Sequence, residues 1–267
     1  MTFESEFTDI APVRPVAGYI GGKRRLAARL VDMIGRVPHR TYAEPFVGMG
    51  GVFFRRRKQP PAEVINDRNG EVANLFRILQ RHYPQFIDTL RFQLTGRREF
   101  ERLKKSDPAT LTDLERAGRF LYLQRTAFGG KVAGQNFGVS PGEGGAFNLT
   151  RLEPLLADVH ERLAGVVIEN LDWLAFIDRY DRPETLFYLD PPYHGSEGDY
   201  GAALFGRDQF VLMAERLGRL KGRFILSIND VPEIRETFAA FVMEPVGLMY
   251  GVSGGQTPAK ELIVSSA

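Results

Sequence analysis

The sequence predicts an α/β protein, a doubly wound sheet split by a helical insert. A strand pattern at 41–46 runs into the glycine-rich turn VGMGG, and helix and strand follow, the βαβ signature of a nucleotide-binding sheet. The same alternation resumes near Arg151. Between about 83 and 150 it gives way to helical patterning and a glycine-crowded loop.

GKRRLAARLVDMI (22–34) reads as a helix with Leu26, Leu30, Val31 and Ile34 on one face. TYAEPF (41–46) is a short strand, helical residues run to Arg57, AEVIND (62–67) is a strand, and a helix spans Asn69 to about His82. LTDLERAGRFLYLQR (111–125) spaces Leu111, Leu114, Ala117 and Leu121 as a helix does. FGGKVAGQNFGVSPGEGGAF (128–147) reads as a long loop or a hairpin, a length that in a compact protein points to function or mobility. A helix (152–164), strands at 165–170 and 185–190, a helix near 208–219, a strand (223–229), a helix near 232–239 and two C-terminal strands complete the pattern. The expected division is therefore a catalytic domain over 15–82 and 151–267, with an insert over 83–150.

Composition narrows the chemistry. The 267 residues include no cysteine, which excludes disulfides, thiolate metal sites and cysteine nucleophiles. The four histidines (His39, His82, His160, His194) lack metal-ligand spacing, so no metal is expected. No apolar run is long enough for a bilayer, and the N-terminus lacks the features of a signal peptide. A cytoplasmic enzyme that uses a cofactor is expected. From Arg81 to Lys131 eleven Lys/Arg face six Asp/Glu, although the whole chain carries only +2. That basic segment suits a phosphate-facing surface, and a solvated helical face is the plain alternative.

The sharpest motif is Asp190-Pro191-Pro192-Tyr193, directly after a strand. Ligands in open α/β sheets bind beyond the carboxyl ends of the strands. Asp190 and the carbonyl of Pro191 can accept the two N–H bonds of an amino group on a flat heterocycle, while Tyr193 stacks on the ring. Pro192 stiffens the turn and donates no backbone hydrogen bond. The plain alternative is a rigid strand-to-loop turn. In the second motif, Glu44 to Gly51, Gly48 and Gly50 let the backbone approach a ligand closely. Asp67 ends the next strand nineteen residues after Gly48, about where an acid meets ribose hydroxyls. The full GxGxxG fingerprint is missing, which argues against a dehydrogenase. In the third, Tyr19-Ile20-Gly21-Gly22-Lys23, paired glycines before a helix could seat a carboxylate or phosphate with Lys23 as counter-charge. A flexible turn is the plain reading.

Together these motifs resemble the adenine-specific DNA methyltransferases of the deoxyadenosine-methylase type. The matching segments are YIGGK, EPFVGMGGVFF, INDRNGEVANLF, RTAFGG, FYLDPPY, FILSIND and KELIVSS, in the family's order from about Gly18. The resemblance implies a Rossmann-like fold of the S-adenosylmethionine-dependent methyltransferase type. It implies that Tyr19 and Lys23 contact S-adenosyl-L-methionine, that Phe46, Gly48 and Gly50 form the turn beneath it, and that Asp67 holds its ribose. Asp190 would stand between cofactor and target amino group. Asp172 would lie near the cofactor adenine or simply start a helix. The family's DNA-recognition region falls on the basic insert, making Arg125, Lys131, Gln135 and Asn136 candidate base or phosphate readers. Two departures stand out. Tyr19 occupies a position where well-known members have tryptophan, and GGKVAGQNFGVSPG differs from the pattern associated with GATC recognition.

The reaction expected is direct methyl transfer to N6 of an adenine flipped out of double-stranded DNA. Without cysteine, attack on a cytosine ring carbon is excluded. Methylation of the cytosine amino group, an RNA or protein-glutamine substrate, and a silent DNA-binding protein on the same fold are the competing readings. A monomer is expected, without membrane or metal, and a paired restriction endonuclease or a phage or mobile-element setting stays open.

Overall fold

The computed structural model describes residues 6–19, 23, 25–130, 134–138, 144–195, 205–252 and 255–266. The chain opens with β1 (Thr8–Asp9), α1 (Ala27–Arg36) and β2 (Thr41–Glu44). A glycine turn then leads to β3 (Lys58–Gln59), β4 (Ala62–Asn66) and α2 (Gly70–Arg81). Next come α3 (Tyr83–Leu90), α4 (Arg97–Lys105), α5 (Asp113–Thr126) and α6 (Leu149–Arg162). The C-terminal part comprises β5 (Val167–Glu169), α7 (Trp173–Tyr180), β6 (Thr185–Leu189), α8 (Asp208–Leu217), β7 (Arg223–Asn229), α9 (Pro232–Thr237), β8 (Val242–Val252) and β9 (Gly255–Ser265).

Seven strands form one sheet in the order β5-β4-β2-β6-β7-β9-β8. The first five are parallel, and β9 and β8 close the edge antiparallel. The chain enters at β2, winds out through β4 to β5, and crosses back to lay β6 on the other side of β2. This reversal opens a crevice at the carboxyl ends of β2 and β6, the topological switch point where α/β sheets bind ligands.

Side chains on a strand alternate between faces, so a doubly covered sheet needs apolar residues at every position. TLFYL of β6 meets that demand, with all five residues buried. Leu186 and Tyr188 pack on one face with Phe76 of α2, Leu121 of α5 and Leu156 of α6. Phe187 and Leu189 pack on the other with Phe176 of α7, Phe210 of α8 and Ile234 of α9. Each such side chain contributes about 1.5–3 kcal/mol on burial. Phe86 and Phe100 of α3 and α4 belong to the first of these clusters, so the 83–126 helices share the core of the sheet.

Local signals set the helix starts. Asn69 caps α2 by accepting from Glu71 N, and Asn148 caps α6. Thr112 and Glu115 form a capping box on α5, which satisfies two backbone donors that the first turn leaves open. Several boundaries differ from expectation. The first helix starts at Ala27, after a turn at 25–26, and Lys23 is buried rather than on its exposed first turn. The helical stretch expected to reach Arg57 is one 3₁₀ turn, Phe53–Arg55, after which the chain extends to pair β3 with β1. Helices α3 and α4 lay hidden because each is short and Gly96 interrupts their pattern. In the 128–147 segment Phe128 N donates to Asn136 O at 2.8 Å and Gly138 N to Thr126 O at 2.8 Å, so its described part is hairpin-like.

Candidate active site

A cavity of about 950 Å³ occupies the switch point, lined among others by Tyr19, Phe46, Gly48, Asp67, Asp190 and Phe205. That volume suits a drug-sized ligand. Backbone geometry builds its floor. Gly48 and Gly50 have φ of 50° and 71°, which L side chains adopt at a cost. A Cβ on Gly48 would stand 3.0 Å from the Tyr19 ring, and one on Gly50 would run into the Phe54 ring. Space as well as conformation therefore demands glycine at both positions.

Asp67 braces this turn. Its Oδ2 accepts from Gly48 N and its Oδ1 from Asn69 N, each at 2.8 Å. Burial raises its pKa to about 6, against the pull of the two backbone donors. Next to it, Asn66 donates to Pro45 O at 2.9 Å and to Leu171 O at 3.1 Å, and accepts from Leu171 N at 2.7 Å. One amide thus ties together the ends of β2, β4 and β5.

Across the crevice stands the Asp190 motif. Asp190 Oδ1 accepts from Lys23 Nζ at 2.8 Å and from Ser227 Oγ at 3.3 Å. The Asp190 side chain is 20% exposed, toward the cavity it lines. Burial raises its pKa to about 6, and Lys23 opposes the shift. Lys23, only 2% exposed, also donates to the Tyr193 hydroxyl and lies 4.0 Å from that ring's centroid. Tyr193 donates in turn to Glu261 Oε1, and Glu261 Oε2 is 3.8 Å from Lys23 Nζ. Pro192 lines the cavity, and Pro191 is buried behind it.

Lys23, Gly48, Asp67 and Asp190 thus meet around one cavity although the sequence scatters them over 168 positions. Phe46 and Tyr19 join them, whereas Gly50 serves the turn from behind. Asp172 caps α7 by accepting from Leu174 N at 2.9 Å and is not among the cavity-lining residues. Arg125 does line the cavity, but its guanidinium donates to Val16 O at 2.7 Å and Ala146 O at 3.1 Å. The Gln135 side chain is buried and Asn136 is exposed. Lys131 lies outside the described residues.

Sequence reasoning assigned no role to Glu44, Ser227 or Glu261. Glu44 lines the cavity and accepts from the Tyr42 hydroxyl at 2.6 Å. Burial pushes its pKa up to about 8, against the Tyr42 hydrogen bond and the Arg56 guanidinium, which pull it down. Acids that open or close apolar strands, such as Glu44 in TYAE and Glu261 in KELIV, were the available signal. Among the described residues no group of three or more His, Asp or Glu could hold a metal ion, and no helix is long and apolar enough to cross a membrane.

The sequence model of the D12 class N6 adenine-specific DNA methyltransferases matches residues 19–251. The chain belongs to this class. It is an adenine-specific DNA methyltransferase, and its substrate is DNA. The methyltransferase is 24% identical over 232 residues to the type II methyltransferase M.CviBI of Paramecium bursaria Chlorella virus NC1A, covering 86% of this chain and 88% of that one. It is 32% identical over 124 residues to the type II methyltransferase M1.LlaDCHI of Lactococcus lactis subsp. cremoris, with 44% and 43% covered. A DNA N-6-adenine-methyltransferase of Escherichia phage P1 is 26% identical over 237 residues, or 79% of this methyltransferase and 29% of the phage protein. A methyl donor is implied by the class.

Proposed function

We propose that the methyl donor is S-adenosyl-L-methionine, that it binds in the switch-point cavity, and that the acceptor is an adenine flipped out of duplex DNA. The observation that carries this reading is the single cavity shared by Asp67, at the end of β4, and Asp190, at the end of β6. Gly48 leaves room for a ligand to approach the backbone, and Asp67, braced by two backbone N–H groups, presents its carboxylate to ribose hydroxyls. Tyr19 and Phe46 supply apolar walls, and Lys23 a counter-charge. When bound, the cofactor supplies an electrophilic methyl group beside Asp190.

The residues of the chain then do the positioning. Lys23 and Ser227 hold Oδ1 of Asp190, which leaves Oδ2 to accept an N–H of the adenine amino group. The Pro191 carbonyl accepts the second N–H, and the Tyr193 ring stacks on the base. Two acceptors around one amino nitrogen favour its sp³-like form and aim its lone pair at the methyl carbon. The N–C bond forms as the methyl–sulfur bond breaks, S-adenosylhomocysteine leaves, and one amino proton passes to solvent. Catalysis of this kind rests on alignment, which can supply about 7–11 kcal/mol of the barrier. The target amino group is paired within a duplex, so flipping precedes transfer.

Arg14, Arg55, Arg68 and Arg125 line the same cavity and give it a basic wall suited to phosphate. Lys131, Gln135 and Asn136 belong to the loop we assign to target recognition, within the 83–150 segment. The type II relatives favour a restriction–modification or phage setting, and we propose that the enzyme works as a monomer.

Incubation of the purified protein with methyl-labelled S-adenosylmethionine and plasmid DNA, followed by nucleoside analysis, tests the reading. Labelled N6-methyladenine is expected. N4-methylcytosine would overturn the acceptor, and the absence of a thermal shift with the cofactor would overturn the assignment of the cavity.

A further inference from the structure

We propose that Glu261 is a positioning residue of methyl transfer: its buried carboxylate fixes the Tyr193 hydroxyl and steers Lys23 between itself and Asp190. The proposal rests on the roles assigned to Asp190 and Tyr193 above.

Glu261 sits on β9 directly opposite Asn229, the last residue of β7. Opposed residues on antiparallel strands present their side chains to the same face. Both therefore reach the carboxyl edge of the parallel strands, where the Asp190 loop emerges. Asn229 holds the backbone of that loop, accepting from His194 N and donating to His194 O, each at 3.0 Å. Glu261 holds its side chain, through Oε1 on the Tyr193 hydroxyl. The loop is thus pinned at two adjacent residues by one cross-strand pair.

The charge arrangement gives Glu261 a second effect. Lys23 Nζ is 2.8 Å from Asp190 Oδ1 and 3.8 Å from Glu261 Oε2, and Lys23 and Glu261 side chains are each 1% exposed. A buried carboxylate is costly unless cations and donors face it, and two groups of the transfer site, Lys23 and Tyr193, are among those that face this one. One ammonium is shared by two acids. With Glu261 neutral, the ammonium has a single carboxylate to approach, and it moves toward the acceptor that the adenine amino group needs. Tyr193 at the same time loses an anionic partner and gains freedom of ring position. Glu261 does not itself line the cofactor cavity, so it reaches the cofactor only through Lys23.

Glu261→Gln keeps size and an acceptor oxygen while removing the charge. In steady-state assays with plasmid DNA it is expected to lower kcat by about 10- to 100-fold, the scale of a small misplacement of reacting groups. The Kd for S-adenosylmethionine should rise by much less than kcat falls, since Glu261 reaches the cofactor only through Lys23. Tyr193→Phe should lower kcat in the same manner, and the double variant should lose clearly less than the product of the two single losses, because both break the Tyr193–Glu261 contact. A wild-type kcat for Glu261→Gln, losses that multiply in the double variant, or a parallel loss of cofactor affinity would overturn the proposal. If Glu261→Gln does not fold, Tyr193→Phe alone tests the contact from the loop side: slower transfer at unchanged cofactor affinity supports it, and unchanged transfer overturns it. Failure of the wild-type protein to methylate DNA would instead remove the reading on which the proposal stands.

Discussion

Two clusters of buried charge face different parts of this protein, and only one of them opens on the cavity. In the closed cluster Glu63 accepts from Arg162 Nη1 at 2.6 Å and Nη2 at 2.8 Å and pairs with Arg56. The Arg56 guanidinium lies 3.7 Å from the centroid of the Tyr42 ring, and that of Arg162 lies 4.2 Å from Phe53. Two cations share one acid beneath aromatic lids. In the open cluster the count is reversed: Asp190 and Glu261 share Lys23, and Asp190, its side chain partly exposed, lines the cavity. Surplus acceptor on the open side is what an incoming amino group requires. The closed side needs only mutual satisfaction, since unpaired buried charge is expensive. The lesson is that burial of charge by itself does not mark a site; a partly exposed carboxylate that lines a cavity does.

The largest expected effect would break the open cluster. Asp190→Ala should cut methyl transfer by about 10²–10³-fold, the cost of deleting one well-aimed polar group from a transition state. DNA binding in a filter assay should be largely kept, and equal losses of binding and rate would argue against the role given to Asp190. Next comes the closed cluster. Glu63→Ala should destabilise the fold by about 3–5 kcal/mol because it strands two buried guanidinium groups. Urea unfolding measures this, and the folded fraction should keep its specific activity. If Glu63→Ala spared stability yet impaired transfer, the contrast between the two clusters would fail.

A pH titration sharpens the comparison further. Asp190 accepts an N–H as the carboxylate, and its pKa is raised by burial to about 6. Transfer should therefore fall about tenfold for each pH unit below that value. Stability should move the other way. A raised carboxyl pKa contributes stability that is full below the unfolded value, 3.8, and is lost as pH rises through about 6. Thermal unfolding followed from pH 4 to pH 7 in parallel with rate checks both arms, with Asp67 adding to the stability arm in the same window. Asp190→Asn should flatten its share of that arm; the same slope in wild type and variant would assign it elsewhere. The smallest effect is expected at Asp67→Asn, which should weaken S-adenosylmethionine by about tenfold, or roughly 1.4 kcal/mol, by loss of a charged acceptor. Calorimetric titration with the cofactor reads this directly.

The amino-acid sequence determined the architecture and most of the site. Continuous apolar strands such as TLFYL, caps such as Asn69 and Asn148, and the glycine turn after TYAE are local, so they are legible without coordinates. The placement of Gly48, Asp67 and Asp190 at strand ends followed from the same local patterns together with the rule that ligands lie beyond carboxyl ends. Helices α3 and α4 escaped because eight and nine residues offer little more than two turns to read, and both are held by packing on α5 and the sheet. Tertiary structure alone decided which polar residues face one another. Arg125 is a candidate base or phosphate reader by resemblance, and in the fold it lines the cavity with its guanidinium anchored on the carbonyls of Val16 and Ala146, 109 and 21 positions away. Glu261 falls in the C-terminal segment KELIVSS, and it meets Tyr193 only because β9 lies beside β7. A hydrogen bond spans about 3 Å, so its partners are chosen by distances in space that no local pattern encodes.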